Sequence, residues 1–128
     1  MSKPTKLRIS DHRELRVWQI SMKLVTDVYA STRTFPSVER YGLALQLRRA
    51  AVSVAANIAE GNGRLHRKEY IHHLSIAPGS LRETETLLEI ARRLKYVGPA
   101  DTSAANEMID HVGRMLTRMI KSLAASTS

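Results

Sequence analysis

Residues 70–91, YIHHLSIAPGSLRETETLLEIA, decide the fold. Tyr70, Leu74, Ala77, Leu81, Thr84, Leu88 and Ala91 recur there at intervals of four and three. That rhythm keeps one stripe of a helix turned toward a neighbour packed at a shallow angle. Pro78 falls inside the pattern. It has no N–H and its ring crowds the carbonyl of Leu74, so it predicts a kink within the helix rather than its end.

Outward from this stretch, proline and glycine punctuate the chain at Phe35-Pro36-Ser37, Glu60-Gly61-Asn62-Gly63 and Val97-Gly98-Pro99. None of the resulting segments sustains an alternation of apolar and polar residues, so no strand is expected. Helices are predicted over about 11–34, 38–60, 66–96 and 102–123, with a basic arm over 1–10 and a frayed tail over 124–128. In the first helix Trp18, Ser21, Val25 and Val28 make the inward stripe, widened by Val17, Leu24 and Tyr29. The second begins at Ser37 or Val38, with Ser37 as N-cap. It ends at Gly61, a glycine suited to the left-handed position after a helix. The fourth turns Ala105, Met108, Val112, Met115 and Met119 inward. Short connections between long amphipathic helices favour an all-α, antiparallel up-down-up-down four-helix bundle, about 30 Å long.

The second helix is apolar on two sides. With about 100° per residue, Leu43, Ala50, Ala51, Val54 and Ile58 cluster around Leu47 as the bundle-facing stripe. Leu45, Val52, Ala56 and Ala59 fall on the far side, where a monomer should be polar. Their burial is expected against another copy of the chain, which makes these four the candidate interface of a ring-like homo-oligomer. Between the two faces runs a polar seam of Gln46, Ser53, Asn57 and Glu60. The seam has two readings: buried hydrogen bonds that fix helix register, or a functional lining between subunits.

Twenty Lys and Arg against 12 Asp and Glu give a net charge of +8. The excess favours polyanionic partners such as RNA, DNA or an acidic protein, and serves solubility in any case. With no cysteine, the chain has no disulfide, thiolate metal site or cysteine nucleophile. Residues 1–8 lack the apolar stretch of a secretion signal, and no apolar run approaches the roughly 20 residues that span a bilayer. A cytoplasmic protein without membrane contact is expected.

The basic residues gather in several clusters. Lys3, Lys6, Arg8, Arg13 and Arg16 lie toward the N-terminus, and Arg64, His66, Arg67, Lys68, His72 and His73 around the second break. Arg92, Arg93 and Lys95 close the third helix, while Arg114, Arg118 and Lys121 line the fourth. Regular packing would bring the clusters at Arg64–Lys68 and Arg118–Lys121 to one end of the bundle. Arg64, Arg67, Lys68, Arg114 and Arg118 are the candidate nucleic-acid-binding residues, holding phosphates without sequence preference. For the cations that close helices, stabilisation of the C-terminal dipole is the competing explanation.

Glu69-x-x-His72 resembles half of a di-metal bundle motif. Both residues fall off the core stripe and no second copy of the motif exists, so neither a metal nor another cofactor is expected. No Gly-x-Ser-x-Gly, Walker loop or His-Glu-x-x-His occurs, and no catalytic residue is assigned. Trp18 and Tyr70, on apolar stripes, are expected in the core rather than as base-stacking platforms.

Four stretches resemble a known family. They are Gln46-Leu47-Arg48-Arg49-Ala50-Ala51-Val52-Ser53, continuing to Asn57-Ile58-Ala59-Glu60-Gly61; Val17-Trp18-Gln19; Phe35-Pro36-x-x-Glu39-x-Tyr41-Gly42-Leu43; and Gly79-Ser80-Leu81-Arg82-Glu83-Thr84-Glu85. Together they look like the signature of the bacterial 23S rRNA intervening-sequence proteins, in the family's order over about residues 14–97. The resemblance implies a four-helix bundle able to form ring-like pentamers. It is similar to the accessory proteins of diversity-generating retroelements, basic pentameric bundles that bind a reverse transcriptase and nucleic acid. The biochemical role of most family members is unassigned. Ala55 stands where many relatives have proline, and Pro78 where they have a basic residue.

These readings converge on a non-enzymatic, basic, oligomeric bundle that binds RNA or DNA, or a nucleic-acid-processing enzyme such as a reverse transcriptase. The alternatives are a protein scaffold or adaptor without nucleic-acid binding, and a nuclease using the histidines.

Overall fold

The computed structural model describes residues 11–64 and 66–125. The expected basic arm over 1–10 and the last three residues of the expected tail lie outside the described residues. Four long helices and two single 3-10 turns make up the fold, and no strand occurs among the described residues. Helix α1 runs Arg16–Thr32, α2 Leu43–Asn62, α3 Arg67–Arg93 and α4 Pro99–Ala125. Each packs against its neighbours in sequence and α1 packs against α4, while the two diagonal pairs do not meet.

Local chemistry sets where these helices begin and end. Asp11 caps a 3-10 turn, His12–Glu14, by accepting from the Arg13 N–H at 3.0 Å. Leu15 is then extended and packs on the core, so α1 starts at Arg16 and not at Asp11. Residues Ser37–Glu39 form a second 3-10 turn, and Ser37 is not the N-cap of α2. Glu39 serves that end from outside the helix: its carboxylate accepts from the Leu43 N–H at 3.0 Å and from the Tyr96 hydroxyl at 3.0 Å. A side chain on Gly42 would stand 2.8 Å from the same carboxylate, which explains the glycine between Tyr41 and Leu43.

Helix α3 ends at Arg93 rather than at residue 96. Lys95 takes a left-handed φ of 65°, and the N–H groups of Lys95 and Tyr96 donate to the carbonyls of Arg92 and Ala91, both at 2.9 Å. This is a Schellman closure with lysine in the place that usually goes to glycine. Pro99 opens α4, where its missing N–H leaves no helical bond unmade. The same helix continues through Ala124 and Ala125, which were expected to fray.

The core is a column of aliphatic side chains. Leu24, Leu47, Leu74, Leu81, Ile109 and Leu116 are all wholly buried. Along α3, Leu74, Ala77, Leu81, Thr84, Leu88 and Ala91 are buried as the spacing requires, and the helix runs on through Pro78. Thr84 is tolerated there because its hydroxyl donates to the Ser80 carbonyl at 2.8 Å. The outer stripes differ in detail. In α1 the buried set is Val17, Ile20, Ser21, Leu24, Val28 and Thr32. Trp18 and Val25 are half-buried and Tyr29 is exposed. In α4 Ile109 and Leu116 lie fully inside, while Met108, Met115 and Met119 pack at the margin.

Candidate functional site

The α2–α3 corner joins the polar seam to the basic cluster around Arg64 and Lys68. Ser53 and Ser80 hydroxyls lie 2.8 Å apart across the two helices. The Asn57 amide donates to the Ser53 carbonyl at 2.9 Å, and its oxygen lies 3.2 Å from Nδ1 of His73. Nearer the end of α2, Gly61 brings the helices so close that an added Cβ would meet Tyr70 and His73 at 3.0 Å. Partners therefore run backward along α3 as one moves forward along α2. Ser53 and Asn57 thus tie the register of this hairpin. Glu60 is exposed and turns to His73 Nδ1 at 3.7 Å and to Arg64 at 3.9 Å. Gln46 is exposed and takes no part in the network.

That close approach corrects the expectation for Gly61. It lies inside α2 and is buried; α2 ends at Asn62, and the residue after it, Gly63, has a right-handed backbone. No described glycine has a positive φ. Gly61 is needed for the space that its missing Cβ leaves to α3, not for a left-handed turn.

The five candidate nucleic-acid-binding residues do not form one patch. Arg64 and Lys68 line a groove at the corner together with Glu69, His72 and His73, while Arg67 is exposed beside it on the first turn of α3. Arg114 and Arg118 line a second groove, between α3 and α4, with Asp110 and Thr117. Arg82 of α3 joins them there, tied to Glu85 at 2.8 Å. Neither Arg114 nor Arg118 nor Lys68 has a carboxylate within ion-pair distance among the described residues. A Cβ on Gly113 would stand 3.9 Å from the Leu81 side chain, and Leu81 lies about 21 Å along α3 from Arg67. Arg114 therefore sits level with the middle of α3, and the two grooves flank that helix at different heights instead of sharing an end. Arg82 was missed as a cation of this set because only tertiary packing brings it to Arg114.

The cations closing α3 do not contribute to either groove. Arg92 and Arg93 both clasp Glu89, at 2.6 and 2.9 Å, and together hold its carboxyl down to about 2. Glu69 and His72 are on the outer surface, and no group of three or more His, Asp or Glu side chains converges among the described residues.

The far face of α2 is open. Val52 and Ala56 are exposed, and Leu45 and Ala59 half-buried. Val52, Ala56 and Ala59 line an almost wholly apolar groove with Trp18, Met22 and Val25 of α1. Trp18 is half-buried: it packs against the core and also borders this groove, its ring edge-on to His12 at 5.0 Å. Among the described residues no helix is long and apolar enough to cross a membrane.

Comparison with known proteins accords with this architecture. A solved structure from Bacteroides thetaiotaomicron, described as a protein with unknown function from the S23 ribosomal protein family, superposes with a TM-score of 0.76 at 24% identity. The alignment covers 82% of this chain and 98% of that one. No protein of curated function matches significantly. The model of the 23S rRNA-intervening sequence protein family matches residues 13–118, and the chain belongs to that family.

Proposed function

We propose that this chain is a non-enzymatic, homo-oligomeric up-down-up-down bundle that binds nucleic-acid phosphates through the two basic grooves flanking α3. The observation that carries the reading is the groove of Arg82, Arg114 and Arg118, which Asp110 also lines and in which neither Arg114 nor Arg118 has a carboxylate within ion-pair distance among the described residues. Three cations against Asp110 and the Glu85 that pairs with Arg82 leave a positive excess there, and a polyanion relieves the repulsion among like charges while releasing its own counterions. Lys68 and Arg64 extend the positive surface on the other side of α3. Short connections and the neighbour order of the four helices support the antiparallel topology. Structured RNA and duplex DNA both offer the phosphate ladder that such grooves track, and the cytoplasm is the compartment in which this chain would meet them.

The apolar groove between α1 and α2 supports self-association. Val52, Ala56, Trp18 and Met22 present there a contiguous surface that a second copy would cover, and the family resemblance points to five copies in a ring. Repetition around a ring multiplies each weak phosphate contact. The same exposed face favours a second reading, an adaptor that holds a protein such as a reverse transcriptase. Changing Arg64, Arg67, Lys68, Arg114 and Arg118 together to Glu separates the two. Loss of RNA and DNA binding with helicity intact is expected; unchanged binding overturns the assignment of these grooves. Protein binding that ignores salt, without RNA affinity, selects the adaptor. Degradation of RNA that His72 and His73 substitutions abolish would select a nuclease.

A further inference from the structure

At the α1–α2 turn a third positive site is built differently from the two grooves. Arg33, which follows the last residue of α1, Arg40 after the second 3-10 turn and Arg48 in α2 line one recess of about 250 Å³ with Thr32 and Ser37. None of the three arginines has a carboxylate within ion-pair distance among the described residues. Glu39, the acid on that turn, is committed to the Leu43 N–H and the Tyr96 hydroxyl.

Arg48 is pinned. Its Nε donates to the Thr32 hydroxyl at 2.6 Å, its Nη2 reaches the Tyr29 carbonyl at 3.5 Å, and its guanidinium lies 4.5 Å from the centre of the Tyr29 ring. Thr32 is buried and spends its own proton on the Val28 carbonyl at 2.8 Å, so its oxygen is free to accept from Arg48. A guanidinium carries five N–H donors, and those not engaged by Thr32 and Tyr29 meet no acceptor among the described residues. The C-terminal dipole of α1 accounts for one cation here. It does not account for three around one recess.

We propose that this recess is a phosphate-binding pocket, in which Arg33, Arg40 and Arg48 hold a single phosphate group. Arginine forks match phosphate oxygens in pairs, and a guanidinium already fixed by stacking loses little freedom on binding. The volume falls below the roughly 300–1,000 Å³ of pockets that enclose a whole drug-sized ligand. It suits a phosphate whose remaining atoms stay outside. The pocket lies about 24 Å along α2 from Arg64, so it does not depend on the grooves flanking α3.

The test is titration of the full chain with inorganic phosphate and with pyrophosphate, read by calorimetry and by the arginine guanidinium N–H resonances. Saturable binding is expected, with the Arg48 signal moving most. Arg48→Lys keeps the charge but loses the fork and the ring contact, and should weaken binding at least ten-fold. Arg33→Gln with Arg40→Gln, both at exposed positions, should abolish it without touching the core. Binding should persist in the five-fold Glu variant of the grooves, even if that variant also ends nucleic-acid binding. A matched pair of oligonucleotides, one with a 5′-phosphate and one with a 5′-hydroxyl, identifies the source. Preference for the phosphorylated one, lost in the Arg33/Arg40 variant, marks a nucleic-acid end; equal binding of the pair beside saturable pyrophosphate binding marks a small free phosphate. A response that never saturates, or one that is equal in wild type and the Arg33/Arg40 variant, overturns the proposal.

Discussion

Gly61→Ala and Gly79→Ala should move stability apart, although both residues lie inside helices. Gly79 is exposed in α3, and an added Cβ would meet nothing within 4 Å. Alanine there should stabilise by about 1 kcal/mol through helix propensity and the lower entropy of the unfolded chain. Gly61 would receive the same gain, but its Cβ would stand 3.0 Å from the His73 Cβ and 3.2 Å from the Tyr70 carbonyl oxygen. Those two atoms are fixed by the backbone of α3, so relief requires the helices to separate. Overpacking of that kind costs about 1–3 kcal/mol. The propensity gain is common to both variants, so their difference isolates the steric cost. At roughly 4 °C per kcal/mol for a chain of this size, the melting points should differ by about 4–12 °C, with Gly61→Ala the lower. Urea unfolding followed by far-UV circular dichroism, at one protein concentration because the proposed self-association would shift midpoints, gives the free energies. Equal shifts in the two variants would refute the close approach of α2 and α3, and with it the placement of the groove that Arg64 and Lys68 line.

Other substitutions probe the remaining features. Val52→Glu, alone or with Ala56→Glu, places carboxylates on the apolar groove and should reduce the particle to a monomer with unchanged helicity; light scattering that still gives the wild-type mass would remove this face from the interface. Lys95→Gly relieves a left-handed residue at the end of α3 and should raise stability by about 1 kcal/mol, whereas a loss would contradict the Schellman closure. Arg92 and Arg93 depress the Glu89 carboxyl from its ordinary 4.5 to about 2. Its contribution is therefore present above about pH 4.5 and lost as pH falls toward 2. The melting-point advantage of wild type over Glu89→Gln should shrink across that window, by a small amount because the pair is exposed and screened. A difference that stays constant from neutral pH to pH 2 would rule the ion pair out.

The α3 stripe was legible because its members are aliphatic or small and Tyr70 marks its beginning. The α4 stripe was only half legible. Ala105 and Val112 are buried as expected, but hydropathy alone does not tell whether Met108 and Met115 or Ile109 and Leu116 lie at the centre. The flexible methionines fill the margin, where shape is irregular, and the branched residues take the tighter interior. Trp18 was half legible in α1: a large ring on an apolar stripe reads as core, and it does pack there, but it also borders the open groove beside Val52. Helix ends depended on partners distant in sequence: Glu39 is anchored by Tyr96, and no local rule places a left-handed Lys95 ahead of Gly98. Among the basic residues, Arg64 and Lys68 are neighbours in sequence and were found together. Arg82 with Arg114, and Arg33 with Arg48, meet only once the helices pack.

Binding of the full chain to structured RNA and to duplex DNA across a salt series tests the nucleic-acid reading most directly. Affinity that falls steeply and linearly in log–log form is expected, with a slope of about 0.9 per phosphate contact on duplex DNA. The slope should diminish when Arg82, Arg114 and Arg118 are changed to Gln. No binding at low salt, or an affinity indifferent to salt and to those arginines, would contradict the phosphate-binding account and leave the bundle as a protein adaptor.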